Sequence, residues 1–588
     1  VTRQRTQHVH FLGIGGSGLS PLAQIHLAGG GKVSGSDAED SPRVATLRAR
    51  GVPVRVGPAP AAEKIAAELA GVDVVVASSA LAEDHPEIVA ARSLGLAVRR
   101  RSEWLPELTA GYRLVAVAGS HGKSTTSAML TLVLRAAGLD PTAVIGAEVS
   151  QLGGNALAGS GDLFVLESDE YGGAFAGLEP TIAVITNVEW EHPDIFPDEA
   201  SVRTAFTAFA RRVRPGGRLV VCGDDPGVAA VLAELHRQGT PAAAPVLDYG
   251  FGTDRRWRAV DVATVAGDDT ARAVVLHGGQ EIGTLTLAVP GRHSLLNALA
   301  VLAVATELGV APAQTLATLA TYTGAARRFE FVGFWRAGTP DPAVPAAAGA
   351  AAAPPVRRDP ATAAAAATTA PIGPPDSPPP TGIALPRAAP PAVDAPVAAT
   401  PAPAAGPDHA AALPAPAGAL ASRSPTGPAT AVADPVGEWS LEIIDDYAHH
   451  PTEIRLTLAA ARARTHGRAL WAVLQPHTYS RFAALLDGFA TAFADADRVY
   501  VTDIYAARET DDLGRHPTDL VERLVGPAVV GYVPWPELVD RLAADVRDTL
   551  SGPVPAQAGG ILLLTLGAGT ITTVGPRLLA ALDEPAAG

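Results

Sequence analysis

Cysteine is almost missing from this chain: Cys222 is the only one in 588 residues. That excludes an intramolecular disulfide framework and any cysteine-rich metal cluster. Cys222 itself reads as a small buried apolar residue. Lysine is nearly as scarce. Of 45 basic residues only Lys32, Lys64 and Lys123 are lysine, and the other 42 are arginine. A lysine kept against such a bias suggests a place where a compact ammonium cannot be exchanged for a guanidinium. Positive charge is short overall, and the net charge of −15 argues against a nucleic-acid-binding surface while leaving room for a local basic pocket. No uninterrupted apolar run reaches the ~18 residues of a membrane span. The first strand-like run, Val9 to Leu12, comes too early for a signal peptide to precede it. The expectation is a soluble cytoplasmic protein.

Aromatic residues are absent from one stretch altogether. Residues 338–437 contain no Phe, Tyr or Trp, yet hold 24 of the 51 prolines, and alanine plus proline account for 59 of those hundred positions. Such a stretch cannot bury enough apolar surface to offset its chain entropy, so it is expected to be a disordered Ala/Pro-rich insertion. The rest fits three ordinary domains.

What remains has a regular rhythm. Strand-like and helix-like segments alternate: His8–Leu12, Leu19–Ala28, Lys32–Gly35, Ala62–Ala70 and Asp73–Ala77. That βαβ pattern predicts a parallel sheet covered on both faces. The rhythm restarts at Leu114–Ala118, with further strands expected at Leu163–Leu166, Ile182–Thr186 and Leu219–Cys222. Residues 257–289 alternate like antiparallel strands before a helix near Leu295, and after the insertion Leu441–Ile444, Leu470–Leu474, Val499–Thr502 and Ile561–Leu566 each precede a loop and a helix. The fold class is therefore α/β in three domains: 1–110, Rossmann-like; 111–335, a central P-loop ATPase type; and 438–588, again Rossmann-like.

Two glycine loops carry the strongest signals. Gly13-Ile14-Gly15-Gly16-Ser17-Gly18 follows a strand and leads into a helix, the setting in which backbone N–H groups and a helix N-terminus hold a diphosphate. Asp37 ends the next strand, about where an acid would meet a ribose. A plain tight turn would use the same glycines, and the loop does not separate NAD from other nucleotides. The second loop, Gly119-Ser120-His121-Gly122-Lys123-Ser124-Thr125-Thr126, has the Gly-Lys-Ser core of a P-loop, although Val117 stands where a full Walker A motif has its first glycine. In such a loop Lys123 reaches the β- and γ-phosphates and the Ser124 hydroxyl ligates Mg²⁺. Glu167-Ser168-Asp169-Glu170 and Thr186-Asn187-Val188-Glu189-Trp190-Glu191-His192 each follow a strand of the same unit. Carboxylates and an imidazole gathered at strand ends suit Mg²⁺ against the phosphates of ATP. Polar runs also follow apolar segments at Gly291–Asn297, Arg327–Glu330, Asp445–Pro451 and Gln475–Arg481.

These loops, in this order, resemble the Mur ligases over the whole chain except the insertion, and among them most closely the members that add L-alanine. The resemblance implies ATP-dependent amide formation, with Mg²⁺ or Mn²⁺, between UDP-N-acetylmuramate and L-alanine in peptidoglycan precursor synthesis, a step of cell-wall biogenesis and cell division. It implies UDP-muramyl contacts at Gly13, Gly15, Gly16, Ser17, Gly18, Asp37, Ser78 and Ser79. ATP would be held by Gly119, Ser120, His121, Gly122, Lys123, Ser124, Thr125, Asn297, Arg328 and Asp446. Ser124, Glu167 and His192 would bind metal, and Tyr447, His449 and Arg481 the amino acid. Catalytic roles would fall to Lys123, His192, Arg328 and His449.

The sequence departs from the family's pattern at Tyr171-Gly172, usually Ser-Asp, at Glu191, usually Asp, at Ser294, usually Asn, and at Thr478, an Arg in some members. Thr478 leaves Arg481 as the main partner for the amino acid's carboxylate, and keeps open a related ligase that adds another amino acid or a preformed peptide. With no lysine after Lys123, a carbamylated lysine cannot brace a metal there. A nicotinamide-dependent oxidoreductase would use the first glycine loop but leave the Lys123 loop and both acidic clusters without a task.

Overall fold

A computed structural model describes residues 7–238, 244–264, 270–336, 440–465, 467–510, 512–526, 529–551 and 560–584; the expected Ala/Pro-rich insertion lies outside the described residues. The first sheet is made from β1 (His8–Leu12), β2 (Lys32–Asp37), β3 (Val54–Val56), β4 (Val74–Ala77) and β5 (Ala97–Arg100). It is parallel throughout, in the order β3-β2-β1-β4-β5. Its central strands β1 and β4 are buried along nearly their whole length, β4 as a run of valines, as helices on either side require. The strand order reverses beside β1, so a crevice opens between the loops after β1 and β4, where ligands of such sheets bind.

The second sheet holds β6 (Arg113–Ala118), β7 (Thr142–Val149), β8 (Gly154–Leu157), β9 (Leu163–Glu167), β10 (Ile182–Ile185), β11 (Arg218–Cys222), β12 (Val246–Gly250), β13 (Trp257–Thr264), β14 (Ala271–His277) and β15 (Gln280–Leu287). Its order is β15-β14-β13-β12-β11-β10-β6-β9-β7-β8. β6 lies between β9 and β10, all parallel, so the loops after these three strands emerge side by side. The helix Arg292–Glu307, apolar on nearly every side, is buried against this sheet with the helix Lys123–Ala136. A second apolar cluster joins the first sheet to the other face of the second through Trp104, whose indole meets the Phe11 ring edge-on at 5.3 Å.

The third sheet contains β16 (Glu330–Arg336), β17 (Ser440–Asp446), β18 (Ala469–Leu474), β19 (Arg498–Val501), β20 (Val529–Tyr532) and β21 (Ile561–Leu566), ordered β16-β17-β21-β18-β19-β20. Only β16 runs antiparallel, pairing Arg336 with Ser440 and Glu330 with Asp445. The junction expected at 335 thus falls inside a strand of the third sheet. The chain crosses from the second sheet to the third before the insertion, at Arg327–Phe329, where Arg327 and Phe329 adopt left-handed φ values of 58° and 55°. The sequence pattern also passed over the edge strands β3 and β5, which are three and four residues long with only partial burial and so lack a continuous apolar run. No helix among the described residues is long and apolar enough to cross a membrane.

Candidate active site

The P-loop is shaped by contacts that only glycine tolerates. Gly119 has φ +137°, and a Cβ there would lie 1.9 Å from Thr186 Oγ1; Gly122 has φ +80°, and its Cβ would meet Asn297 Oδ1 at 2.5 Å. The loop is braced from the end of β10: Asn187 Oδ1 accepts the His121 N–H at 2.7 Å and Thr186 Oγ1 donates to the His121 carbonyl at 2.6 Å. Gly122 caps the helix Lys123–Ala136 with no side-chain cap, leaving that N-terminus for an anion.

Lys123 Nζ donates to the Gly119 carbonyl at 2.6 Å and to Glu170 Oε2 at 3.0 Å, with Asp169 Oδ1 at 3.6 Å. Burial opposes the ammonium charge, but Glu170 and Asp169 outweigh it and hold the pKa above the ordinary lysine value. Glu170 is buried, and its Oε1 has no hydrogen-bond partner. Burial, helped by Asp169 and Glu191 against the pull of Lys123, pushes its carboxyl up.

Two sets of metal donors are present. Ser124 Oγ donates to Glu167 Oε1 at 2.9 Å, and the other Glu167 oxygen takes the Gly146 N–H. Asp169, Glu170 and His192 place ligand atoms within 4.8 Å of one another. His192 sits at φ 57° with its ring against Tyr171. Burial lowers its pKa, favouring the neutral imidazole that a metal needs. A hydroxyl, three carboxylates and one imidazole form a mostly hard oxygen set that fits Mg²⁺ or Mn²⁺, and the unpartnered Glu170 oxygen is ready for a cation.

A different cluster joins the P-loop to the third sheet. His121 Nε2 lies 3.1 Å from Glu189 Oε2 and its Nδ1 3.1 Å from Glu453 Oε1, with the His450 ring 4.8 Å away. Burial works against the imidazolium, but the two carboxylates prevail and raise the pKa to about 10. Glu453 also accepts the backbone N–H groups of His449 and His450 at 3.0 and 3.3 Å, as the acid of a capping box that starts the helix Pro451–Arg464.

Next to it, His449 Nδ1 donates to the Tyr447 carbonyl at 2.8 Å while Nε2 faces Glu191 Oε1 at 3.3 Å. Arg481, buried, donates to the same Glu191 oxygen at 3.0 Å and to His477 Nδ1 at 2.9 Å. Arg481, expected to meet a carboxylate, is thus already paired with one from the second sheet. Burial, together with the charges of His449 and Arg481, lowers His477 to about 3, consistent with its accepting role. Arg328 lies over the Tyr447 ring, 4.8 Å from its centroid.

Two cavities collect these groups. One of about 280 Å³ is lined by Thr125, Asn297, Tyr249, Tyr322, Arg328, Phe329, Asp446 and Cys222, an aromatic-walled pocket with the size and chemistry for a purine. Asp446 is engaged by the Phe329 and Ala448 N–H groups, both at 2.8 Å, and burial raises its pKa to about 6. The other, of about 510 Å³, is lined from all three sheets: Ser17, Gly18 and Arg101; Ser120, Lys123, Ser124, Glu167 and His192; Arg328, Tyr447 and His449. Of the first glycine loop only Ser17 and Gly18 line it; a Cβ on Gly13 would lie 3.1 Å from Ser78 Cβ, and Gly16 N–H bonds the Gly13 carbonyl. Ser79 is exposed. Asp37 turns onto the loop, where its Oδ2 accepts the Gly15 N–H at 2.8 Å. Sequence reasoning did not single out Glu453, Arg43 or Arg101. For Glu453 the signal was available, since His-Pro-Thr-Glu has capping-box spacing at a helix start.

A P-loop on a parallel sheet, acids at the adjoining strand ends, and a third sheet reaching into the same chamber define a multidomain nucleotide-triphosphate-dependent enzyme. Family models match residues 8–113 (Mur ligase family, catalytic domain), 117–305 (Mur ligase middle domain) and 434–551 (Mur ligase, glutamate ligase domain). The chain is 69% identical to the UDP-N-acetylmuramate–L-alanine ligase of Frankia casuarinae, with the whole of both chains covered. It is 36% identical to the enzyme of the same name from an Arthrobacter species, over 99% of this chain and 96% of that one. The crystal structure of UDP-N-acetylmuramate–alanine ligase from Thermotoga maritima shares the fold, with a TM-score of 0.61 at 23% identity and 98% of each chain covered. The chain belongs to the Mur ligase family.

Proposed function

We propose that the chain joins L-alanine to UDP-N-acetylmuramate with hydrolysis of ATP to ADP and phosphate, in the cytoplasm, as a step of peptidoglycan precursor synthesis. The observation that carries this reading is the cavity of about 510 Å³ into which all three sheets send loops. A sugar-nucleotide acid, a triphosphate and an amino acid have to meet in such a place. The 69% identity to a ligase of that name supports the choice of substrates.

A carboxylate does not accept an amine directly, because its oxygen is too poor a leaving group. Its oxygen first takes the γ-phosphoryl of ATP, releasing ADP. The amine of alanine then attacks the acyl carbon, and phosphate leaves as the amide forms. Catalysis by the protein is therefore mainly alignment and charge neutralisation. Lys123 exchanges its contact with Glu170 for the transferring phosphoryl oxygens. The P-loop amides and the N-terminus of the helix Lys123–Ala136 cradle the phosphates, while Asn297 and Asp446 orient adenine and ribose. Arg328, held over Tyr447, faces the developing negative charge. His449 keeps its Nδ1 on the Tyr447 carbonyl, and once Glu191 gives way its Nε2, freed of its proton, receives one from the attacking amine. Arg481 takes the alanine carboxylate once Glu191 gives way. Mg²⁺ or Mn²⁺ would be held by Ser124 with Glu167, and by Asp169, Glu170 and His192, and when bound would neutralise phosphate charge.

The test is phosphate release with UDP-N-acetylmuramate and a panel of amino acids. Release should require both the muramyl nucleotide and alanine. ATP turnover indifferent to either would overturn the proposal, and preference for another amino acid would move it to a related ligation.

A further inference from the structure

Buried arginines in this protein are matched by acids: Arg468 meets Glu442 at 2.7 Å, and Arg481 meets Glu191 at 3.0 Å. Two half-buried arginines beside the first glycine loop lack such a match. Among the described residues neither the Arg43 nor the Arg101 side chain has a hydrogen bond or ion pair, and the Nε of each is closed off from water without a partner. A guanidinium whose Nε is shut from water with no acceptor loses hydration that an arriving anion would restore. Burial presses against the Arg101 charge, and only Asp169 and Glu167, beyond ion-pair reach, support it.

Both side chains line the chamber together with Ser17 and Gly18. Arg101 opens the helix Arg101–Thr109, and its Cδ lies 3.5 Å from where a Cβ on Gly18 would stand. Arg43 belongs to the helix Pro42–Ala49, whose start packs on the loop: a Cβ on Gly15 would come within 2.8 Å of Ser41 Oγ and of Val44 Cγ2. The loop also has fewer free amides than its sequence suggests. The Gly15 N–H is taken by Asp37 and the Gly16 N–H by the Gly13 carbonyl, so neither is left for a ligand.

We propose that Arg43 and Arg101 form a two-guanidinium clamp for the diphosphate of the sugar nucleotide held at the Gly13–Gly18 loop. The proposal rests on the reading of that loop given above and adds the residues that compensate the ligand's charge. A diphosphate carries two negative groups side by side, and each guanidinium presents a planar fork of donors that matches two phosphate oxygens. Arg43 and Arg101 are positioning residues for the substrate's remote end, away from the reacting carboxylate.

Calorimetric titration of the full chain with UDP and with uridine separates phosphate recognition from nucleoside recognition. The wild-type protein should prefer UDP by about 100-fold. Arg43→Met and Arg101→Met should each weaken UDP binding about tenfold and leave uridine unchanged, and the double variant should lose the preference. The Arg43→Lys and Arg101→Lys variants should recover part of it, since they keep charge but not the fork. The single variants keep the test readable if the double variant fails to fold. Equal losses for uridine and UDP, or no loss for UDP, would overturn the clamp. A wild-type protein that does not prefer UDP would sink the reading of the loop itself together with the clamp.

Discussion

Two clusters of histidine and carboxylate lie a few residues apart in this active site, and they differ in how fully their groups are matched. In the first, His121 stands between Glu189 and Glu453, with His450 alongside. Each carboxylate there faces the His121 imidazole at 3.1 Å, and the members come from the second and third sheets, so the cluster fastens the P-loop to the helix Pro451–Arg464. In the second, Asp169, Glu170 and His192 all come from the second sheet, with Lys123 as the cation in contact. One Glu170 oxygen there has no hydrogen-bond partner, with the His192 Nε2 only as near as 3.8 Å. The same residue types make a fastening where every carboxylate is held by an imidazole, and a place open to a cation where one carboxylate oxygen has no hydrogen-bond partner.

The largest way to break this contrast is to remove the acid cluster's own cation. Lys123→Ala should lower amide formation by about a thousandfold or more, read in a phosphate-release assay, with ADP binding retained in a separate titration. The next largest effect concerns metal. His192→Ala should raise the Mg²⁺ concentration for half-maximal turnover by about 10- to 100-fold, whereas His121→Asn should leave that concentration unchanged. An equal shift in both variants would erase the distinction.

A smaller effect appears in stability against pH. The folded-state pKa of His121, about 10, lies above its ordinary value of 6.5, so the protonated form stabilises the fold. That contribution is complete below about pH 6.5 and is lost as pH rises toward 10. The thermal midpoint should therefore fall between pH 7 and pH 10, and His121→Asn should flatten the fall. The smallest effect is expected far from both clusters. Replacing residues 338–437 by a short Gly/Ser loop should leave turnover within about a few-fold, because loop-closure entropy changes only with the logarithm of length; a near-complete loss would show that the segment acts in the site.

Much of this centre was legible in the sequence because it is local. Glu167–Glu170 and Asn187–His192 each follow an apolar strand directly, and parallel strands deliver such loops to one edge. What stayed hidden is what depends on register across the chain. Glu453 reaches His121 across more than 300 positions, and Arg101 reaches the chamber from a helix whose own pattern is unremarkable. The engagement of Asp37 with Gly15, in place of an open carboxylate at the strand end, is also a matter of three-dimensional approach. β16 was missed because its partner β17 lies beyond the insertion, and an edge strand shows its pattern only against a neighbour.

The solitary thiol has a practical corollary. Cys222 ends β11 on the wall of the purine-sized pocket, and burial raises its pKa to about 12. At neutral pH almost none of it is thiolate, the form that reacts with maleimides. The native protein is therefore a nearly silent background for thiol labelling. Dyes attached to cysteines introduced on separate sheets would report their approach, and occupancy of the pocket could be followed independently by whether Cys222 becomes still harder to modify.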